Sequence, residues 1–389
     1  MDFKEYDKNI MPTYARFPVC LTEGKGATAK DEQGREYIDF GSGIGVNSLG
    51  YSNEKWAMAV ARQAARLQHT SNLYYTLPQT ELSQKLCGLT GYSAVFFGNS
   101  GAEANECAIK VARKYSFDNY GEGRNKIITL VNSFHGRTVT TLSATGQDVF
   151  HNYFFPFTGG FDYVEAGSIQ QLKEKLDGTV CAVMFEFIQG EGGVLPLDRD
   201  FVEELFTLCK ENDIITIADE VQTGMGRTGT LLASELFGVS PDITTLAKGL
   251  GGGLPIGACM VGEKLAGVMG PGTHGSTFGG NPVCCAGANA VLDEISKQEF
   301  LDEVTKKGDL LAACAEEMPH VVSVTGAGLM CGVELDGSVS AKDIAAKCLE
   351  NGLLILTAKT KLRFLPPLNI TKIELEKGIN ILSKVLEEA

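Results

Sequence analysis

Short apolar segments recur through the middle of the chain, and this recurrence constrains the fold more than any other feature. They are Ala94–Phe97, Lys126–Val131, Phe161–Val164, Cys181–Phe187, Ile214–Ala218, Ile243–Leu246 and Gly257–Val261. They are rich in β-branched and aromatic residues and run apolar without alternation. That is the pattern of strands covered on both faces. Helical patterns such as Ala102–Tyr115 and Asp200–Asn212 lie between them. The order predicts an α/β domain around a mostly parallel sheet. The chain ends read differently. Residues 1–40 suggest a hairpin turning at Asp31-Glu32-Gln33-Gly34. From about Ala286 the patterns give helices Ala286–Ser296, Glu303–Glu317, Ala341–Asn351 and Ile373–Glu387. Strands Val321–Thr325, Gly332–Leu335, Leu353–Leu356 and Lys361–Phe364 fall among them. These make a smaller α+β unit.

Composition narrows the function classes. The chain has 34 Lys and Arg against 48 Asp and Glu, a net charge of −14, with no basic run. Nucleic acid and anionic membrane surfaces are poor partners for it. No apolar stretch approaches the ~18 residues of a membrane span. The N-terminus, MDFKEYDKNIMPTYARF, contains acids and lacks the apolar core of a signal peptide, so a cytoplasmic location is expected. The eleven cysteines are scattered, without C-x-x-C or zinc-ligand spacing. Buried thiols in a reducing compartment and no metal site are the expectation. Glycine is in excess, at 46 of 389 residues, where an average chain carries about 7%.

In parallel α/β sheets ligands bind beyond the carboxyl ends of the strands, and the chemistry of this chain concentrates there. Gly98-Asn99-Ser100-Gly101-Ala102 reads as a turn opening a helix, suited to phosphate, or as an ordinary Ser-capped helix. It lacks the P-loop pattern. Ser133-Phe134-His135-Gly136-Arg137 places an aromatic ring, an imidazole and a guanidinium on one loop. Phe134 could stack on a flat ring and Arg137 could hold a carboxylate, while His135 could equally be structural. Glu186 and Glu191 flank a Gly-rich loop, fit for acid–base work or for solvent. Asp219 ends an apolar strand and needs a cationic partner, such as a protonated pyridine nitrogen. Lys248 follows an apolar strand and precedes Gly249 and Gly251–Gly253. It is either a solvated loop lysine or a Schiff-base lysine. Ser276, Thr277, Gly279 and Gly280 offer a second set of phosphate contacts. Together, the phosphate cradle, stacking ring, buried Asp and Gly-flanked Lys suit pyridoxal 5′-phosphate.

Five phrases carry a resemblance. They are M-P-T-Y-A-R-F-P at 11–18, D-F-G-S-G-I-G-V-N-S-L-G at 39–50, A-D-E-V-Q-T-G-M-G-R-T-G at 218–229, the Lys248 segment, and L-R-F-L-P-P-L at 362–368. From Tyr14 to about Pro367 the chain resembles the class-III, fold-type-I pyridoxal-phosphate aminotransferases. The resemblance implies a large cofactor-binding domain over 46–285. A small lobe would be built from the N-terminal segment 1–45 and the C-terminal residues 286–389. It makes Lys248 the cofactor lysine and proton shuttle, Asp219 the partner of the pyridinium, and Gln222 the partner of the phenolic oxygen. Phe134 would stack on the ring, with His135 and Glu186 beside the cofactor. Ser100, Gly101 and Ala102 would bind its phosphate. Thr277 would reach the phosphate of the neighbouring subunit's cofactor, which implies a homodimer with shared sites.

The implied reaction is ping-pong. An amine donor, N2-acetylornithine, leaves its δ-amine on the cofactor, and 2-oxoglutarate takes it to become glutamate. Arg137 would hold the distal carboxylate, and Arg363 the carboxylate next to the reacting carbon of 2-oxoglutarate. Glu191 would mask Arg363 when the donor is bound. Tyr14 and Ser276 would also meet substrate. Phe187 replaces the family's usual proline, and Tyr51 replaces a histidine in Leu49-Gly50-Tyr51. Ile44 stands where ornithine-acting members carry a tyrosine, which favours an acylated donor, although 4-aminobutyrate-acting members are also aliphatic there. Ornithine, succinylornithine and 4-aminobutyrate remain alternative donors, and an aminomutase acting on glutamate 1-semialdehyde an alternative reaction. The intact Lys248 and Asp219 argue against a non-enzymatic binding protein.

Overall fold

The computed structural model describes residues 7–389. Seven strands form the central sheet: β1 (Ala94–Gly98), β2 (Lys126–Leu130), β3 (Phe161–Val164), β4 (Val180–Phe185), β5 (Ile215–Asp219), β6 (Ile243–Leu246) and β7 (Gly257–Val261). Their spatial order is β1-β7-β6-β5-β4-β2-β3. β2 to β6 pair in parallel with their neighbours among themselves, and β7 runs antiparallel to both β6 and β1. Every residue of β4, β5, β6 and β7 is buried, which explains their uninterrupted apolar sequences.

Four of the seven expected strands end elsewhere: Ala94–Phe97 extends to Gly98, Lys126–Val131 stops at Leu130, and two others shift next to residues of the cavity. The run Cys181–Phe187 leaves the sheet at Phe185, because Glu186 turns toward the strand ends. Phe187 stays apolar for a different reason: its ring meets Phe185 edge-on at 5.1 Å and stacks on Phe237 at 4.9 Å. β5 takes in Asp219, so that acid is a strand residue and not the first loop residue.

The chain ends come together. Strands Leu21–Lys25, Thr28–Asp31 and Glu36–Asp39 form an antiparallel meander, with the expected turn at 31–34. Glu36–Asp39 then pairs in parallel with Leu353–Leu354, opposing Ile38 to Leu353. The single strand expected over Leu353–Leu356 is therefore two. It breaks at Ile355, and Leu356–Ala358 joins Val321–Ala327, Met330–Leu335 and Lys361–Phe364 in a separate four-stranded sheet. Phe40 meets Phe364 edge-on at 5.8 Å between these units. Gly378 passes so close that a Cβ there would lie 2.3 Å from the Phe40 ring.

Helix boundaries follow their caps. Helix Pro282–Ile295 starts before the expected Ala286 because the Asn281 side chain accepts from Val283 N at 2.9 Å and Pro282 opens the first turn. It packs on helices Glu54–Arg66 and Leu77–Thr90, neither of which the sequence patterns anticipated. Helix Gly101–Tyr120 runs from the Ser100 cap to Gly121, five residues past the expected end at Tyr115. All eleven cysteines are free; seven are buried, while Cys20, Cys87, Cys284 and Cys314 are partly exposed. No helix among the described residues is long and apolar enough to cross a membrane.

Candidate active site

A cavity of about 660 Å³ opens at the carboxyl ends of the sheet strands. Ser100, Gly101, Ala102, Phe134, His135, Glu186, Asp219, Gln222 and Lys248 all line it, with Tyr14 and Arg137. Ser276, Thr277, Glu191 and Arg363 do not line it.

The helix that follows β1 starts at the cavity wall. Ser100 is extended at φ −154° and accepts from Glu103 N at 3.2 Å, so it is a genuine N-cap. The N–H groups of Gly101 and Ala102 lie in the first turn, where no intrahelical acceptor exists. A Cβ on Gly101 would come within 2.8 Å of the Val221 side chain. Glycine is thus required for the helix end to approach the floor of the cavity.

Asp219 is held in place by three donors. Its Oδ2 accepts from Asn105 Nδ2 at 2.8 Å and lies 2.8 Å from His135 Nδ1. Its Oδ1 accepts from Val221 N at 3.1 Å. Asn105 is oriented in turn by Thr245 Oγ1, 2.7 Å from its Oδ1. The carboxylate puts the imidazole proton on Nδ1 and leaves the buried His135 Nε2 without a partner among the described residues. Glu186 accepts from Phe134 N at 2.9 Å and Gly190 N at 3.2 Å. Burial, reinforced by the Asp219 charge, pushes its carboxyl well above the usual carboxylate range.

Lys248 sits in a single 3₁₀ turn directly after β6, at φ +40°. Its amine makes no hydrogen bond to the described residues. Burial pulls its pKa down, opposed mainly by Asp219 and Glu191. Gln222 lies beside Gly190, where a Cβ would strike its amide at 2.2 Å.

Arg363 reaches the site from the smaller sheet, where it opposes Gly332. Its Nη1 donates to Glu191 Oε1 at 2.6 Å and to Gln222 Oε1 at 3.3 Å. Its Nε has no partner among the described residues. Arg137 is exposed at the mouth, over the Phe150 ring at 4.1 Å and the Phe134 ring at 5.6 Å. It makes no ion pair with the described residues. Tyr14 stands at the rim, 74% exposed. Ser276 ties its loop to the turn after β1, accepting from Asn99 Nδ2 at 3.1 Å as well as from Gly279 N at 3.0 Å. Thr277 is exposed and faces outside this cavity.

Sequence reasoning missed Asn105 and Val221. Asn105 had a signal: it is a polar residue on the buried face of a helix whose other buried positions are mostly Ala, Val, Ile and Cys. Val221 had none beyond its place between Asp219 and Gln222.

The arrangement supplies an amine without a partner, a fixed carboxylate, an open helix N-terminus, and an arginine whose counter-ion can be exchanged. Comparison with known proteins agrees. The class-III aminotransferase family profile covers residues 10–386. Acetylornithine aminotransferase of Haemophilus ducreyi is 52% identical over 99% of this chain and 98% of its own. The structure of ornithine aminotransferase from Toxoplasma gondii superposes with TM-score 0.96 at 34% identity, covering 100% of this chain and 94% of that one. Acetylornithine aminotransferase of Elizabethkingia anophelis gives TM-score 0.90 at 37% identity, over 100% and 98% of the two chains. The chain belongs to the class-III aminotransferases.

Proposed function

We propose that this protein transfers the δ-amino group of N2-acetylornithine to 2-oxoglutarate, giving glutamate, with pyridoxal 5′-phosphate as cofactor. That reaction belongs to arginine biosynthesis. The observation that carries the substrate reading is the Arg363–Glu191 contact of 2.6 Å at the edge of a cavity containing an unpaired lysine. A two-substrate site that must take a carboxylate in one half-reaction and not in the other needs a maskable cation. Relatives named acetylornithine aminotransferase at 43% to 52% identity support the same reading.

The residues present fit the cofactor. The first turn of helix Gly101–Tyr120 would hold its phosphate. Asp219, with Oδ1 accepting a single hydrogen bond, would hold the proton of the ring nitrogen. Phe134 would cover one ring face and Val221 the other, and Gln222 would meet the phenolic oxygen. The bound cofactor supplies an aldehyde and an electron-withdrawing ring that stabilises negative charge at the reacting carbon. With the cofactor bound, Lys248 would take a proton from that carbon and return it two bonds away, across the transferred nitrogen. Its lowered pKa makes the neutral, basic amine accessible. Asn105 and His135 keep Asp219 pointed at the cavity. Arg137 holds the distal carboxylate of either substrate, and Glu191 yields Arg363 when 2-oxoglutarate enters.

The reading extends to a cytoplasmic homodimer. Thr277 would serve the partner's cofactor, and the chain would divide into a large domain and a small lobe made from both ends. The test is kcat/KM on acetylornithine, succinylornithine, ornithine and 4-aminobutyrate side by side, together with Lys248→Ala. Acetylornithine should lead the series, and the variant should lose both transamination and the visible absorption of bound cofactor. A lead for ornithine or 4-aminobutyrate would replace the substrate reading, and an unchanged spectrum in Lys248→Ala would remove the lysine assignment.

A further inference from the structure

Four consecutive residues next to the cavity run in the left-handed region: Ser42 at φ +41°, Gly43 at +64°, Ile44 at +62° and Gly45 at +74°. L-residues visit this region singly and reluctantly, and a β-branched residue there is an outlier. Packing of its own side chain does not account for it, since Ile44 is 43% exposed. Such a conformation persists only where its surroundings over-determine it.

The surroundings do so. Asp39 Oδ1 accepts from Gly41 N at 2.7 Å and Ser42 N at 2.9 Å, fixing the entry to the turn. Tyr51 donates to Asp39 Oδ2 at 2.7 Å and holds the carboxylate from the other side. Ser42 Oγ donates to Leu365 O at 2.5 Å, just past the Arg363 strand. Arg227, buried nearby, donates to Leu329 O at 2.9 Å and Pro366 O at 2.6 Å.

The exit of the turn meets the lysine segment. Val46 lines the cavity. Ser48 Oγ donates to Gly249 O at 3.3 Å, while Ser48 O accepts from Leu368 N at 2.8 Å. A Cβ on Gly249 would sit 2.6 Å from Ser48 Oγ and 3.7 Å from Gly45 O. Trp56 Nε1 donates to Gly251 O at 3.0 Å and fixes the same loop further on. Lys248 itself is at positive φ. Two backbone outliers therefore stand back to back, one carrying the lysine and one bracing it.

We propose that the left-handed turn Ser42–Gly45, pinned by Asp39 and Tyr51 and transmitted through Ser48, is a positioning device that sets the backbone at Lys248. This rests on the reading of Lys248 as the cofactor lysine. Asp39, Tyr51 and Ser48 are positioning residues: they act on Lys248 through the main chain and touch neither substrate nor cofactor. Tyr51 takes on this role at a place where the family pattern has histidine.

The test uses the holoenzyme with Tyr51→Phe, Ser48→Ala, the double variant, Ser48→Thr and Lys248→Ala. The readouts are the rate of cofactor release into a trap, the melting temperature of cofactor-free protein, and steady-state constants. Either single variant should release cofactor about tenfold faster, the effect of one hydrogen bond's worth of positioning. It should lower kcat with little change in KM for 2-oxoglutarate; the cofactor-free melting temperature should stay close to wild type in Ser48→Ala and fall modestly in Tyr51→Phe, which leaves a buried carboxylate oxygen of Asp39 unpartnered. The double variant should be no worse than the more affected single, because both act along one chain of contacts, and Ser48→Thr should restore release toward wild type. Unchanged release, full additivity, or a fall in melting temperature alone would overturn the proposal. Retention of bound-cofactor absorption in Lys248→Ala would instead overturn the lysine reading on which it rests.

Discussion

Arg363 is a buried cation whose partner is only half-buried: the side chains are 4% and 30% exposed for Arg363 and Glu191. The arginine is fixed by its strand, and the glutamate sits on a glycine-flanked loop and is free to leave. Glu191→Ala should therefore leave Arg363 permanently available to a carboxylate next to the reacting carbon. The ratio of half-reaction kcat/KM for glutamate over acetylornithine should rise by about tenfold, the worth of one charge-assisted hydrogen bond. Rapid-mixing measurement of each half-reaction alone checks this, and an equal effect on both contradicts masking. Glu220, the neighbour of Asp219, points away from the cavity. It accepts from Ala233 N at 2.5 Å and Ser234 N at 3.0 Å, and burial pushes its carboxyl from 4.5 up to about 7. An acid raised on folding favours the folded state while protonated. As pH rises from about 4.5 the unfolded chain ionises first, so stability falls until about pH 7 and then levels, on the order of 3 kcal/mol in total. Glu186 adds in the same direction. Glu220→Gln should flatten this part of the urea-midpoint profile between pH 5 and 7, although it is less stable throughout because it offers one acceptor fewer. The placement of Lys248 and Asp219 at the cavity was legible in the sequence because a charge that ends a buried apolar strand has few explanations. Asn105 and the outward turn of Glu220 were not, because each depends on which face meets a neighbour distant in the chain.

Elements are decided at their ends. Helix Lys372–Glu387 opens with a reciprocal cap: Glu374 N donates to Thr371 Oγ1 at 3.2 Å, and Thr371 N donates to Glu374 Oε2 at 2.9 Å. The other carboxylate oxygen of Glu374 accepts from Ala27 N and Thr28 Oγ1, both at 3.3 Å. One residue thus starts the last helix and fastens the first hairpin to it. Glu374→Ala should cost about 1–3 kcal/mol of stability with kcat unchanged, measured by denaturant unfolding and steady-state assay; a drop in kcat at unchanged stability would contradict this account. Strands β3, β6 and β7 were legible to the residue: β6 and β7 because burial at every position excludes charge, and the edge strand β3, only half-buried and carrying Asp162, because aromatic and β-branched residues still mark it. The break at Ile355 was not. It arises because Leu353–Leu354 and Leu356–Ala358 pair with different sheets, and no local pattern records a change of partner. Phe187 misled for a related reason, since an apolar residue past a strand end looks like more strand.

At the scale of the molecule, Leu73, Tyr74, Tyr75 and Leu77 are exposed, as is Phe278 beside Thr277. Large apolar side chains gathered near a site are the mark of an interface, and they support the proposed dimer. Light scattering should give twice the 41.6 kDa chain mass. Tyr75→Asp should yield monomers that lose transamination. In mixed dimers, Thr277→Ala should loosen cofactor in the partner's site; loosening confined to the mutated subunit's own site would refute the sharing. The net charge, by contrast, bears only on which partners to expect and says nothing of the chemistry.

The pairing of Glu36–Asp39 with Leu353–Leu354 spans about 315 residues. During synthesis at roughly 5–20 residues per second, that strand waits on the order of a quarter of a minute to a minute for its neighbour. Throughout that interval the first meander shows an unpaired, apolar-backed edge to solvent or to other nascent chains. Phe40, buried in the finished molecule, waits longer still, since Phe364 and Gly378, which pack against its ring, follow later in the chain. The join that closes the two chain ends is thus a late event of folding, preceded by a long interval in which the first meander stays uncovered.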